Sequence, residues 1–220
     1  MVCGMFGKLP SKRDFVSYNM PRPFLDHFEN WQQSAVAASQ MALGSRWQDV
    51  FLTMPIWRFW LGSSVYGQTA TGAMMPSVDG IGRYFPLSVC ACQMEAGRIV
   101  CPPSADLDAW HDTCDAFLLR MLEDTLEDEP SALLATLPFA PFGNAARLAP
   151  TGQNVFAWST DDGSLVEPFQ ALKEMNDAAL HNDRCYWWTT GGTNHKAHLV
   201  MFKGRPSAGF LESLMTGVFS

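Results

Sequence analysis

Two apolar runs, Ala73-Met-Met75 and Leu87-Ser-Val-Cys-Ala-Cys92, flank the stretch Pro76-Ser-Val-Asp-Gly-Ile-Gly-Arg-Tyr-Phe-Pro86. The runs read as buried strands. Pro76 and Pro86 each fix φ and remove a backbone donor, so both belong where a strand ladder stops or starts. Gly80 and Gly82 allow the backbone conformations of a tight turn. Ser77, Asp79 and Arg83 are therefore held close together inside a stiff frame, and loops presented by a scaffold are where function collects. A salt bridge between Asp79 and Arg83 would brace the turn, and the same side chains are candidates for partner contact.

The rest of the chain supplies strands and helices in alternation. Residues 1–9 read as a strand entering the turn Gly7-Lys-Leu-Pro-Ser-Lys-Arg-Asp14. Pro21-Arg-Pro-Phe24 suits a helix start, and Phe24, Phe28, Trp31, Ala35, Ala38 and Ala42 recur at helical spacing up to a stop at Gly44. Ser45-Arg-Trp-Gln48 has the form of a capping box for a second short helix. Strands are expected at 56–61, 70–75 and 87–93, apolar on both faces and so covered on both sides. Leu107, Trp110, Cys114, Phe117, Leu118 and Met121 make the buried stripe of a longer helix, and a short helix follows from Pro130. The Pro-, Gly- and Ala-rich segment 138–152 marks a long loop or sub-domain boundary. Strands at 154–159, 185–189 and 198–202 and helices at 169–180 and 207–215 complete the pattern. Interleaved elements with no dividing linker point to one α/β domain over 1–220, with helices on both faces of a mixed central sheet.

Composition narrows the function classes. With 47% hydrophobic residues, eight Trp and fifteen Phe in 220 residues, the chain has ample core material and is no disordered segment. A net charge of −7 and no basic stripe argue against a nucleic-acid partner. The acidic run 123–129 reads as a solvated helix end. Met1–Lys8 lacks the basic start and longer apolar stretch of a signal peptide. No apolar run approaches the roughly 20 residues that span a bilayer. The expectation is a cytoplasmic protein without membrane insertion, its six cysteines reduced and mostly packed in apolar runs.

The sequence holds few catalytic patterns. Gly4-Met-Phe-Gly-Lys8 falls short of a phosphate-binding loop, because two residues separate the glycines and Leu9 stands where Ser or Thr must meet the metal. His195 and His198, with Cys185 or Asp183, are the candidate metal ligands, yet the local pattern reads as a turn entering a strand. Cys90-x-Cys92 is too tight for a zinc knuckle and reads as paired strand cysteines. A thiol enzyme would have to use Cys185 or Cys101 with His195 or His198. No cofactor or metal is expected. Trp187 and Trp188, before Gly191-Gly192, offer an aromatic anchor or core packing; alternation buries at least one.

Three stretches together resemble the TagF (ImpM) family of type VI secretion system accessory proteins. They are Gly4-Met-Phe-Gly-Lys-Leu-Pro-Ser-Lys-Arg-Asp-Phe-Val16, Met75-Pro-Ser-Val-Asp-Gly-Ile-Gly-Arg-Tyr-Phe-Pro-Leu87 and Tyr186-Trp-Trp-Thr-Thr-Gly-Gly192. Arg13 departs from the pattern, standing where relatives usually carry Gly, so the turn there is built differently or tolerates a side chain. The resemblance implies a three-layer α/β/α fold and a non-catalytic repressor that binds a forkhead-associated (Fha) scaffold protein. Some relatives are fused to a metal-dependent phosphatase domain, whose ligand pattern does not occur here. The partner-binding or loop-organising residues on this reading are Lys8, Asp14, Ser77, Asp79, Arg83 and Trp188. An architectural subunit of the secretion apparatus is the remaining alternative.

Overall fold

The computed structural model describes residues 3–93, 99, 101–102, 105–123, 128–141, 155–160, 164–169 and 183–219. In chain order these form β1 (Cys3–Gly7), β2 (Val16–Tyr18), α1 (Arg22–Leu43), α2 (Trp47–Leu52), β3 (Trp57–Leu61), α3 (Ser63–Tyr66), β4 (Thr69–Met75), β5 (Leu87–Gln93), α4 (Ala105–Arg120), α5 (Pro130–Leu134), β6 (Val155–Thr160), β7 (Arg184–Thr189), β8 (Ala197–Lys203) and α6 (Phe210–Thr216). Eight strands join in one sheet, in the order β2-β1-β5-β4-β3-β7-β8-β6.

The sheet is not the mixed one that the sequence led one to expect: every strand pair among the described residues is antiparallel. The alternation of strands and helices suggested parallel crossovers, but the long helical connections, those through α1 and through α4 and α5, join strands that are not neighbours. β2 leads through α1 to β3, four positions away across the sheet, and β5 leads through α4 and α5 to the edge strand β6. Neighbours in space are instead joined by short links, β3 to β4, β4 to β5 and β7 to β8, and a short link can only reverse the chain.

Strands β3 and β4 are buried along their whole length. Their alternate residues feed two separate cores. On one face Phe59, Met74 and Trp187 pack against Phe24, Phe28 and Trp31 of α1 and Leu211 and Leu214 of α6. On the other, Trp60, Ala73 and Trp188 pack against Leu107, Trp110, Cys114 and Phe117 of α4. Adjacent Trp187 and Trp188 thus enter opposite cores, as the pleat requires.

Sequence and structure part company in three local details. The buried stripe of α1 continues through Ser39 and Leu43, while Ala42 is exposed, because a step of four rather than three follows Ala35. The Ser45 capping box does not form: a 3₁₀ turn occupies 44–46 and α2 has no side-chain cap. β2 and α3 were not anticipated, both being too short to show periodicity. The loop expected at 138–152 and the helix at 169–180 lie mostly outside the described residues.

α4 is fastened to the sheet by polar contacts as well as by packing. Arg58, the residue that interrupts the apolar run of β3, donates from Nε to Asp115 at 3.0 Å and from one terminal nitrogen to Asp112 at 2.6 Å and Asp115 at 2.7 Å. Beside it His111 is fully buried, with Nδ1 2.8 Å from the Leu107 carbonyl and Nε2 3.1 Å from the Thr71 hydroxyl. A neutral ring protonated at Nδ1 donates to the Leu107 carbonyl, while the single Thr71 hydroxyl proton faces both Nε2 and the Phe59 carbonyl at 2.9 Å. Burial, and then the Arg58 charge, push its pKa from 6.5 down to about 3. The unfolded chain therefore binds a proton at this position below pH 6.5 that the folded chain refuses, so stability is lost as pH falls towards 3. We expect urea melts of His111→Gln to lose up to about 1.4 kcal/mol per pH unit of the wild-type slope between pH 6 and 4. Identical slopes would show that the ring is protonated in the fold.

Candidate functional site

The two signature turns meet. β1 ends at Gly7, and the following turn folds back under the 76–86 loop, where Gly80 donates its N–H to the Lys12 carbonyl at 2.8 Å. Ser77 Oγ donates to the Lys8 carbonyl at 2.7 Å. Within the loop, Val78 and Tyr84 bridge antiparallel, and Asp79 donates its N–H to the Arg83 carbonyl at 3.0 Å. Gly82 closes the turn with φ 84°, a value that favours glycine.

Asp79 is the centre of this junction. One oxygen accepts the backbone N–H groups of Ile81 at 3.1 Å and Arg83 at 2.9 Å. The other accepts Lys8 Nζ and, at 2.7 Å, Arg83 Nε. The carboxylate side chain has no exposure to solvent and Lys8 almost none. Burial alone would raise the Asp79 pKa. The Lys8 ammonium and the donors from Arg83 and Ile81 outweigh it and hold the carboxyl well below the usual range. With four donors on one carboxylate, its hydrogen-bonding capacity is filled, so its direct role is to lock the two turns together.

The outer shell of the junction faces solvent. Arg83 is half-exposed, donating to the Arg13 carbonyl and lying 3.6 Å from Asp14, whose side chain is 96% exposed. Phe15 stacks on Phe6 with ring centroids 5.7 Å apart, meets Phe85 edge-on, and lies under the Lys8 ammonium, yet leaves 44% of its surface exposed. Ile81, at the tip of the loop, is 57% exposed. Arg13 has an ordinary negative φ (among the described residues Asn19 alone combines a side chain with positive φ) and is exposed, which is how the turn accommodates a side chain there.

Five of the six residues singled out from sequence thus converge: Lys8, Ser77 and Asp79 in the buried lock, Asp14 and Arg83 on its outer rim. Trp188 does not join them. It is buried against His111 and Phe169 on the α4 face. Phe15 and Ile81 went unremarked in the sequence; their only signal was a large apolar residue beside turn residues.

The thiols and imidazoles named for a possible enzyme are placed apart from this junction in bonding terms. Cys185 Sγ donates to the Gly204 carbonyl at 3.3 Å, and burial pushes the thiols of Cys185 and Cys101 up in pKa. His198 Nδ1 contacts the Lys196 carbonyl at 2.9 Å, and its ring lies against Trp57 and Phe219. His195 closes a tight bridge with Gly192, and burial followed by His198 lowers its pKa. Among the described residues, none of these imidazoles bonds a thiol. No described helix is long and apolar enough to cross a membrane.

Residues 4–137, which contain both turns, match the family described as TagF N-terminal domain, type VI secretion system-associated. The chain is similar in structure to PA0076 from Pseudomonas aeruginosa PAO1, with a TM-score of 0.72 and 29% identity over 99% of this chain and 96% of that one. No curated protein matches. With more than half of its length matched, the chain belongs to the type VI secretion system-associated TagF family.

Proposed function

We propose that this chain is a non-catalytic regulator that represses a type VI secretion system in the cytoplasm by binding its forkhead-associated scaffold protein. The supporting observation is the division of labour at the junction. A saturated, buried Lys8–Asp79 lock fixes the turns, and Asp14, Phe15, Ile81 and Arg83 stand out from it. A rigid rim of apolar and charged groups costs little conformational entropy when a partner docks. The proposal treats residues 1–220 as one domain with a three-layer α/β/α arrangement, in keeping with the two cores on opposite faces of the sheet.

Repression needs no chemistry on this reading. The regulator has to bind the inactive form of the scaffold more tightly than the active one. Reversing a 99:1 population calls for a preference of about 10⁴-fold.

The test uses Asp14→Lys combined with Ile81→Asp, two exposed positions whose exchange leaves the Lys8–Asp79 lock intact. We expect the double variant to keep its melting temperature, to bind purified forkhead-associated scaffold at least about 10-fold more weakly, and to release secretion in cells. Undiminished binding and repression by the folded variant would remove the rim from the proposal. Absence of binding by the wild-type chain would overturn the choice of partner.

A further inference from the structure

A cluster of sulfur atoms lies at the junction of β5 with the start of α1. Cys90 and Cys92 are separated by one residue of β5, so both side chains leave the same face, and their Sγ atoms stand 3.7 Å apart. Met20, between β2 and α1, brings its Sδ to 3.5 Å from Cys90 Sγ. The thioether is fixed from behind by a missing side chain: a Cβ on Gly4 would lie 2.6 Å from Met20 Sδ, so the sulfur rests in the space that glycine leaves. Cys90 is buried, while Cys92 and Met20 are half-buried. Met20 also lines an open groove of about 450 Å³ with Phe15, Asn19 and Arg22, so the thioether end of the cluster borders solvent.

We propose that Met20, Cys90 and Cys92 form a three-sulfur binding site for a soft monovalent metal ion, Cu(I). Thiolate and thioether donors select Cu(I) over harder divalent cations. Metal–sulfur bonds of about 2.3 Å in a trigonal plane place the sulfurs roughly 4 Å apart, a few tenths of an ångström beyond the two separations here. Zinc asks for four ligands drawn from thiolate, imidazole and carboxylate; among the described residues no three His, Cys, Asp or Glu side chains are grouped to hold it. Binding transfers no electrons. Cu(I) replaces the proton on each of the two thiols, a lone pair of the Met20 thioether completes the plane, and the two protons pass to solvent. Affinity therefore rises with pH. Because Met20 leads into α1, an occupied site would tie that helix to the middle of the sheet.

The full chain, reduced and handled without oxygen, would be titrated with Cu(I) against a competing Cu(I) chelator, and the loaded protein examined by X-ray absorption. The expected result is one ion per chain with three sulfur neighbours. Removing a ligand should cost at least what loss of supporting contacts costs at metal sites. Cys92→Ser, at a half-buried position that a serine can occupy without unfolding the strand, should weaken binding by about 100-fold or more, and Met20→Leu by about 10-fold. Cys101→Ser, outside the cluster, should leave it unchanged. Equal losses in Cys92→Ser and Cys101→Ser, two-sulfur coordination indifferent to Met20→Leu, or no competition with the chelator would each overturn the proposal. The same titration of Cys92→Ser is checked by circular dichroism, so that a folded variant carries the comparison.

Discussion

Asp79→Ala is expected to destabilise the chain by about 3–5 kcal/mol, the cost of breaking a buried ion pair from one side. The substitution leaves the Lys8 ammonium buried without a counter-charge and strips the Ile81 and Arg83 N–H groups of their acceptor. For a chain of this size, that corresponds to a fall of roughly 10 °C in melting temperature. Lys8→Met should cost distinctly less, because Asp79 would keep Arg83 Nε and both amides. A larger loss in Lys8→Met than in Asp79→Ala would invert the roles assigned to the pair. The pH dependence has a definite sign. The Asp79 carboxyl titrates below its ordinary value of 3.8 in the fold, so its contribution is complete above about pH 4 and fades only as pH falls through the lowered value. The advantage of wild type over Asp79→Asn should accordingly stay flat from pH 7 to about 4 and shrink below it.

Gly7→Ala is expected to cost at least about 3 kcal/mol and to reduce soluble yield sharply, overpacking and backbone strain each contributing at the kilocalorie scale. Gly7 has φ 138°, and a Cβ there would lie 2.1 Å from the Pro86 carbonyl oxygen and 2.8 Å from Leu87 Cα. Both obstacles are backbone of the neighbouring segment, so no side-chain rotation relieves them. Gly67→Ala is the control: φ is 78° and nothing lies within 4 Å of the added methyl, which isolates the strain at about 1–2 kcal/mol. Chemical denaturation of both variants separates the two terms. A Gly7→Ala loss no greater than that of Gly67→Ala would mean that β1 and the 76–86 loop are not in contact as described.

Gly7 also shows how far a motif can be read. In the sequence, Gly4-Met-Phe-Gly-Lys8 invited comparison with phosphate-binding loops and failed on spacing. Its glycines serve close approach instead: Gly7 lets Pro86 pass, and Gly4 makes room for Met20. Arg58 is similar. Its place in an apolar run was visible as an interruption, but its partners, Asp112 and Asp115 on α4, were not.

Local pattern by itself determined most of the elements, the aromatic strands buried on both faces, the apolar stripe of α4 and the stiff turn between two prolines. These follow from hydrophobic periodicity and backbone sterics, which act over a few residues and leave their record in short windows of sequence. The two signature segments, with most of the residues that converge at the junction, were also legible as a family resemblance. What only the tertiary structure decided are relations between distant segments. The sheet is antiparallel because its long helical connections skip over neighbouring strands and short links join the neighbours β3–β4, β4–β5 and β7–β8, an ordering that strand patterns do not encode. Lys8 meets Asp79 across 71 positions of sequence, and whether a charged side chain ends in a sealed lock or on an exposed rim depends on that meeting. Asp79 and Asp14 carry the same chemical group; the carboxylate of one is enclosed by four donors and that of the other faces water, because the fold buries one turn beneath the other.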